Sequence, residues 1–330
     1  MPEPTPANFD DSSERRGESG SAGQVRVSTV ERSFFSQRYA RLNFGQYSLL
    51  GYSVAGEETV IQVPEMGVCF DAGRAPQFCL TSDVLCLTHG HMDHVAGIAY
   101  FLSQRYFQGL KPATVLVPMD LASAVDDVLR AFRKIERQQT PYRLIPMAAG
   151  ELHPVRRDFG IRTFTTHHGQ GSLGYSIISM REKLKPEYMG IEGHLLGQMK
   201  RDGVEIQYRV EVPLVTFMGD TAAGRVFEHP DVVNAKTLVT ECTFFDAEHR
   251  VKAKAGKHLH VEEFARILPT LKSEHVVVTH VSRRTGIRRA KSILRKLVGD
   301  TEMRRVLFLM DFDESHDAGD ADALAPESVE

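Results

Sequence analysis

No run of about eighteen or more apolar residues occurs in this sequence, which argues against a membrane-spanning helix. The first residues also lack the order of basic, apolar and small side chains that marks a secretory leader, so a soluble protein of the cytoplasm is expected. Cysteine is scarce: Cys69, Cys79, Cys86 and Cys242 are the four present, and no two are spaced Cys-x-x-Cys. Reduced, buried thiols are the expectation, and any metal should be held by histidine and carboxylate rather than thiolate.

Large apolar side chains are nearly missing from residues 1–25, which are rich in Pro, Ser, Gly and Glu, and from the last eighteen or so residues. Such segments cannot bury enough surface to order themselves and read as solvated tails, 1–25 and 311–330. Between them, residues 26–310 form the expected folded unit. The chain has 330 residues and 42% hydrophobic content, enough for a substantial core. Both tails are acidic. Their charges of −3 and −8, set against a chain total of −3, leave +8 on residues 26–310, a modest bias toward a polyanionic partner.

Short apolar runs alternate with amphipathic stretches inside these limits. Strands are predicted at 59–63, 67–70, 84–88, 114–118, 161–166, 175–179, 214–218, 237–240, 276–279 and 306–309, and helices at 97–107, 121–137, 261–271 and 288–297. Their interleaving implies an α/β layered domain with helices outside sheets. Asp71, the group His89 to His94, His168, Asp220 and His280 each fall just after a predicted strand, where a rigid scaffold displays reactive groups.

The densest cluster is His89-Gly90-His91-Met92-Asp93-His94, directly after the buried-type strand Val84-Leu85-Cys86-Leu87-Thr88. Neutral imidazole and carboxylate suit Zn²⁺, and Gly90 permits a tight turn between two ligands. A lone histidine is more often a satisfied core or surface residue, but three histidines and an aspartate in six residues make accident a poor account. Four residues cannot complete two metal sites, and His168, Asp220 and His280 are the further candidates. His167, beside His168, is an alternative to it.

Taken together, Phe70-Asp71-Ala72-Gly73, Thr88-His89-Gly90-His91-Met92-Asp93-His94, His168 with Ser172-Leu173-Gly174-Tyr175, Gly219-Asp220-Thr221, Glu241-Cys242-Thr243-Phe244 and Thr279-His280-Val281-Ser282-Arg283 resemble the ribonuclease Z family of the metallo-β-lactamase superfamily. The resemblance spans about residues 45–310. Lys183-Leu184-Lys185-Pro186-Glu187-Tyr188-Met189-Gly190 and Gly203-Val204-Glu205-Ile206 look like the short plant forms in particular.

The resemblance implies a four-layer αββα sandwich and an endoribonuclease that removes the 3′ trailer of precursor tRNA. It implies two Zn²⁺ per chain, with Mn²⁺ as an alternative. One ion falls to His89, His91, His168 and a bridging Asp220, the other to Asp93, His94, Asp220 and His280. Asp71 would stand behind these ligands and orient their imidazoles. By the same resemblance Asp93 would accept a proton from the attacking water, while His258, oriented by Glu241, would protonate the departing 3′ oxygen. His258-Leu259-His260 read alone is a helix-cap pair, and which imidazole acts stays open, with His258 favoured. Ser172, Tyr175, Arg283 and His260 are expected at the substrate.

Family members grip the tRNA elbow with an arm between the His168 and Asp220 motifs, short here at about 180–212, and work as homodimers. Arg283, Arg284, Arg288, Arg289, Lys291, Arg295 and Lys296 cluster after His280, and Lys252, Lys254 and Lys257 precede His258; such charge runs are usually solvated helix faces, and Arg283 or Arg284, close to a metal-ligand candidate, is the exception expected to contact phosphate. The competing reading of the same ligands is a dinuclear zinc phosphodiesterase or esterase acting on a small molecule. A purely structural metal is disfavoured, because an all-His/Asp ligand set without cysteine is the pattern of a catalytic site.

Overall fold

A computed structural model of the chain describes residues 31–32 and 38–312. The expected tail at 1–25, and all but two residues of the acidic one at 311–330, lie outside the described residues. Two sheets form the centre. The first has eight strands in chain order: β1 (Glu31–Arg32), β2 (Arg38–Asn43), β3 (Ser48–Val54), β4 (Glu58–Val63), β5 (Val68–Phe70), β6 (Val84–Cys86), β7 (Thr114–Pro118) and β8 (Arg143–Met147). The second has seven, again adjacent in chain order: β9 (Leu152–Arg156), β10 (Phe159–Thr165), β11 (Leu173–Leu184), β12 (Gln207–Phe217), β13 (Thr237–Glu241), β14 (His275–Thr279) and β15 (Val306–Phe308). Each sheet starts antiparallel and turns parallel, from β5 to β8 in the first and from β12 to β15 in the second.

Among the described residues there are eight α-helices: α1 (Met92–Val95), α2 (Ile98–Phe107), α3 (Ala122–Glu136), α4 (Gly193–Arg201), α5 (Pro230–Val233), α6 (Arg250–Gly256), α7 (Val261–Ile267) and α8 (Ile287–Met303). None among the described residues is long and apolar enough to cross a membrane.

Alternation along the strands decides the layering, since successive side chains point to opposite faces. Phe70, Cys86, Leu116, Ile161, Tyr175, Phe217, Val239 and Val277 meet between the sheets, where Phe70 stacks on Phe217 with ring centroids 5.1 Å apart. Their neighbours Cys69, Leu85 and Val115 face outward onto Phe101, Leu102 and Leu129 of α2 and α3. On the far side Leu238, Val276 and Val278 face Phe264 of α7 and Ala290 and Leu294 of α8. The result is the expected four-layer αββα sandwich.

The predicted strands and helices are all present with shifted ends. Strands β1, β2, β3, β8 and β9 were not foreseen. β3 is buried along its whole length, but Gly51 interrupts its apolar pattern; a Cβ there would lie 2.6 Å from the Val60 carbonyl oxygen, so glycine lets β3 and β4 close. The predicted 175–179 and 214–218 segments are the buried halves of longer strands, because β11 and β12 continue past the sheet as a ribbon, paired as far as Leu184 and Gln207 and tipped by α4.

Phe217 carries much of the contact between the sheets. Phe217→Ala should lower unfolding free energy by about 3–5 kcal/mol, read from the urea midpoint at unchanged slope. A shift under about 1 kcal/mol would mean that the sheets are not held together there.

Candidate metal centre

The chemistry collects at one edge of the sandwich because the strands that lead into it run the same way. β5 and β6 are parallel and release Asp71 and the His89–His94 loop. In the second sheet β10 and β12 are both antiparallel to β11, hence parallel to each other, and release His168 and Asp220; β14, parallel to β12 through β13, releases His280. The two edges are tied by the Leu173 N–H, which donates to the Thr88 carbonyl at 3.0 Å, and by the Tyr175 hydroxyl, which donates to the Leu87 carbonyl at 2.7 Å. Asp71 and His280 hold left-handed backbone, with φ of 54° and 56°. That conformation is uncommon for residues with a Cβ and clusters at functional sites.

Asp220 sits at the focus, buried. Its Oδ2 lies 3.7 Å from His89 Nε2, 3.7 Å from His168 Nε2 and 3.4 Å from His94 Nε2, and its Oδ1 lies 3.5 Å from His280 Nε2. His91 Nδ1 approaches His168 Nε2 to 3.1 Å, and His280 Nε2 lies 3.4 Å from Asp93 Oδ2. Donor atoms of His89, His91, His168 and Asp220 all fall within 4.8 Å of one another, as do those of Asp93, His94 and His280, and those of Asp220, His258 and His280. His89 Nε2 and His94 Nε2 are buried without a hydrogen-bond partner. Buried nitrogens are rarely left so, and a cation accepting their lone pairs would satisfy them. The donor set therefore fits a divalent metal. His167 is exposed and takes no part in these groups.

In His89, His94, His168 and His280 the opposite ring nitrogen, Nδ1, is engaged, which selects the tautomer that turns Nε2 to the centre. His94 Nδ1 meets Asp71 Oδ2 at 2.7 Å, His89 Nδ1 the Thr88 hydroxyl at 2.9 Å, His168 Nδ1 the Lys257 carbonyl at 3.1 Å, and His280 Nδ1 the Thr243 hydroxyl at 3.0 Å. Asp71 also accepts from the Thr88 N–H and hydroxyl, so one carboxylate braces two imidazoles. Thr88 and Thr243 are supports that reading the sequence missed. Their signal was position: one precedes His89, the other follows Glu241 by two residues.

Burial and the neighbouring carboxylates pull the candidate ligands in opposite directions. Burial drives the His89 imidazole down to about 2 and lowers His168 as well, keeping both neutral as ligands must be. Burial also disfavours charge on His94 and on Asp220, but here proximity prevails: Asp220 and Asp71 raise His94, and His280 and His94 hold Asp220 well below the usual carboxylate range. Asp93 is likewise kept ionised against its burial by His280 and His94, and it accepts the Gly56 N–H at 2.9 Å.

His258 is half-buried beside the ligands. Its Nδ1 lies 2.9 Å from Glu241 Oε1 and 4.0 Å from Asp220 Oδ2. Burial opposes its charge, yet Glu241 and then Asp220 outweigh that and lift it to about 9. Glu241 is itself fixed by the Thr221 N–H at 2.7 Å, the Leu259 N–H at 3.1 Å and the Thr243 hydroxyl.

The residues expected at substrate divide. His260 is buried at the start of α7, where its Nδ1 accepts the Glu262 N–H at 3.3 Å and its Nε2 meets the Asp246 carbonyl at 3.2 Å; with both nitrogens engaged it is a helix cap rather than a substrate contact. Ser172 is buried, donating to the Thr166 and Gly169 carbonyls, so it shapes the His168 loop. Tyr175 is fully buried between the sheets and touches the centre only through Leu87. Arg283 is exposed on the rim, paired with Glu57.

If Asp71 orients His94 through its charge, Asp71→Asn should weaken divalent metal binding about 10–100-fold while keeping the shape. Competition with a chromophoric chelator measures this, and an unchanged affinity would remove Asp71 from the account.

Comparison with known proteins places this geometry. The Beta-lactamase superfamily domain matches residues 77–281. The chain is 33% identical over 254 residues to tRNase Z TRZ2, chloroplastic, of Arabidopsis thaliana, covering 76% of this chain and 72% of that protein. It is 31% identical over 261 residues to tRNase Z TRZ1 of the same plant, covering 78% and 93%. Among solved structures it superposes on human tRNase Z, short form, with a TM-score of 0.51 and 18% identity, over 72% of this chain and 92% of that one. The metallo-beta-lactamase fold protein YhfI of Bacillus subtilis gives 0.52 and 17%, over 78% and 92%. The fold implies divalent-metal binding, the histidines and aspartates gathered around Asp220 are the candidate ligands, and the chain belongs to the tRNase Z family of the beta-lactamase superfamily.

Proposed function

We propose that this protein is a metal-dependent endoribonuclease that removes the 3′ trailer from precursor tRNA and leaves a 3′-hydroxyl on the tRNA. The observation that carries the reading is the convergence of candidate ligands on both oxygens of Asp220, with the His258–Glu241 pair at their side. In this reading His89, His91, His168 and Asp220 hold one Zn²⁺, and Asp93, His94, Asp220 and His280 hold the other, with Mn²⁺ as a substitute. Such ions supply a water of lowered pKa and offset the charge that builds on the reacting phosphate.

The chain's own groups do the rest. Asp93, ionised and held by the Gly56 N–H, accepts the proton that the attacking water sheds. His258, whose Nδ1 is occupied by Glu241, presents Nε2 as the proton donor to the departing 3′ oxygen. Arg283, on the rim next to His280, reaches RNA phosphate on exchanging its Glu57 partner.

Residues 26–310 act as one hydrolase domain in the cytoplasm, and the β11–β12 ribbon with α4, inside the span 180–212, serves as the arm that meets tRNA. We also propose a homodimer. Val128, Phe132 and Ile135 of α3 and Tyr100, Tyr106 and Phe107 of α2 are exposed, an apolar surface that a second copy would cover.

Purified protein should cut a 3′-extended precursor tRNA just after the discriminator base, with two metal equivalents per chain. Asp93→Ala should abolish cutting, and His258→Ala should lower kcat about 10²–10⁴-fold. Turnover of small esters or nucleotides alone would remove the RNA assignment and leave the metal site. For the dimer, light scattering should give twice the chain mass, falling to one chain mass in Phe132→Asp/Ile135→Asp; a monomeric parent protein would refute it.

A further inference from the structure

Beside the metal centre, but sharing none of its ligands, lies an open cavity of about 460 Å³ bounded by Gly150, the end of β10 and the segment from Arg225 to His229. That volume is in the range of small-molecule and cofactor sites. His167 stands between cavity and centre, since it lines the one and adjoins His168 of the other. Its backbone is pinned, with the N–H donating to the Thr221 hydroxyl at 3.0 Å and the carbonyl accepting the Ala222 N–H at 2.9 Å. Its imidazole lies close against Gly224, where a Cβ would fall 2.4 Å from Nδ1, so no larger residue could stand there without moving the ring.

The donors around this cavity lack protein partners. Among the described residues neither the His167 ring nor the exposed Arg225 guanidinium makes a side-chain hydrogen bond or ion pair. His229 Nδ1 accepts the Asp231 N–H at 3.2 Å and so carries no proton, which leaves Nε2–H as a donor. The His229 ring stacks on Phe164, with centroids 5.0 Å apart and planes 25° from parallel, and Phe164 and Val226 add apolar wall. One guanidinium, two imidazoles and the Glu228 carboxylate make a mixed lining, poor for a bare anion but suited to a unit with a phosphate, a flat ring and amino groups.

We propose that this cavity is a nucleotide subsite that receives the RNA strand next to the scissile phosphodiester, with phosphate on Arg225 and His167 and the base on the His229 ring, which the buried Phe164 backs. The proposal rests on the reading of the chain as an RNA-cutting enzyme and adds positioning residues to it. A group that contacts substrate equally before and during reaction changes KM more than kcat. Arg225 therefore sets affinity, not chemistry.

Steady-state kinetics on a 3′-extended precursor tRNA and on bis(p-nitrophenyl) phosphate should separate the possibilities. Arg225→Ala should raise KM for the RNA about tenfold with kcat within about twofold, the loss of about 1.4 kcal/mol of binding. Arg225→Glu should raise it further, Arg225→Lys should restore part of it, and His167→Ala should act in the same direction. The small diester has no neighbouring nucleotide and reports whether the metal centre is intact. Parallel losses on both substrates in the Arg225 variants, or an RNA KM indifferent to Arg225→Glu, would overturn the subsite. Should the parent protein cut the diester but not the tRNA, the functional reading fails instead. Anisotropy of a labelled single-stranded oligoribonucleotide then still judges the cavity: weaker binding by Arg225→Glu supports it, and equal binding by all variants ends it.

Discussion

A buried carboxylate shared among imidazoles governs this structure. Asp220 is almost without solvent, and charge in such a place is tolerated only when it is matched. Four histidines from three segments surround its two oxygens, and His280 and His94 offset most of its charge. The close fit around Thr88 follows from this. Gly219 stands at φ 60° with the Thr88 side chain 2.9 Å from where its Cβ would be, so the residue before Asp220 has to be glycine for the Asp71–Thr88–His89 brace to stay in place.

Much of that centre was legible in the sequence because its parts are local. His89 to His94 occupy one loop after an apolar strand, and His168, Asp220 and His280 each terminate a recognisable strand. What escaped is what depends on contacts between distant segments. Thr88 and Thr243 are ordinary residues until the fold sets their hydroxyls against His89 and His280. Ser172 and Tyr175 carry a family motif, and a motif does not say whether a side chain faces substrate or supports a loop; here both are buried. His258 and His260 alternate like strand neighbours, and the beginning of α7 turns one inward to cap the helix while leaving the other at the centre.

The fold shows the same division. Strands buried on both faces announced themselves as continuous apolar runs, as β6 and β14 do. β8 and β9, with mixed and half-exposed side chains, offered no such signal. The ribbon beyond Ser179 was visible only as a glycine-interrupted basic stretch, because pairing there rests on backbone hydrogen bonds more than on burial.

The two sheets contribute unequally but jointly to the metal groups: His89, His91, Asp93 and His94 follow the first, while His168, Asp220 and His280 follow the second. A cation seated among them would rivet the seam of the sandwich, fastening halves that are remote in the chain. Each half alone offers only part of the donor set, so occupancy and the mechanical integrity of that edge would be coupled.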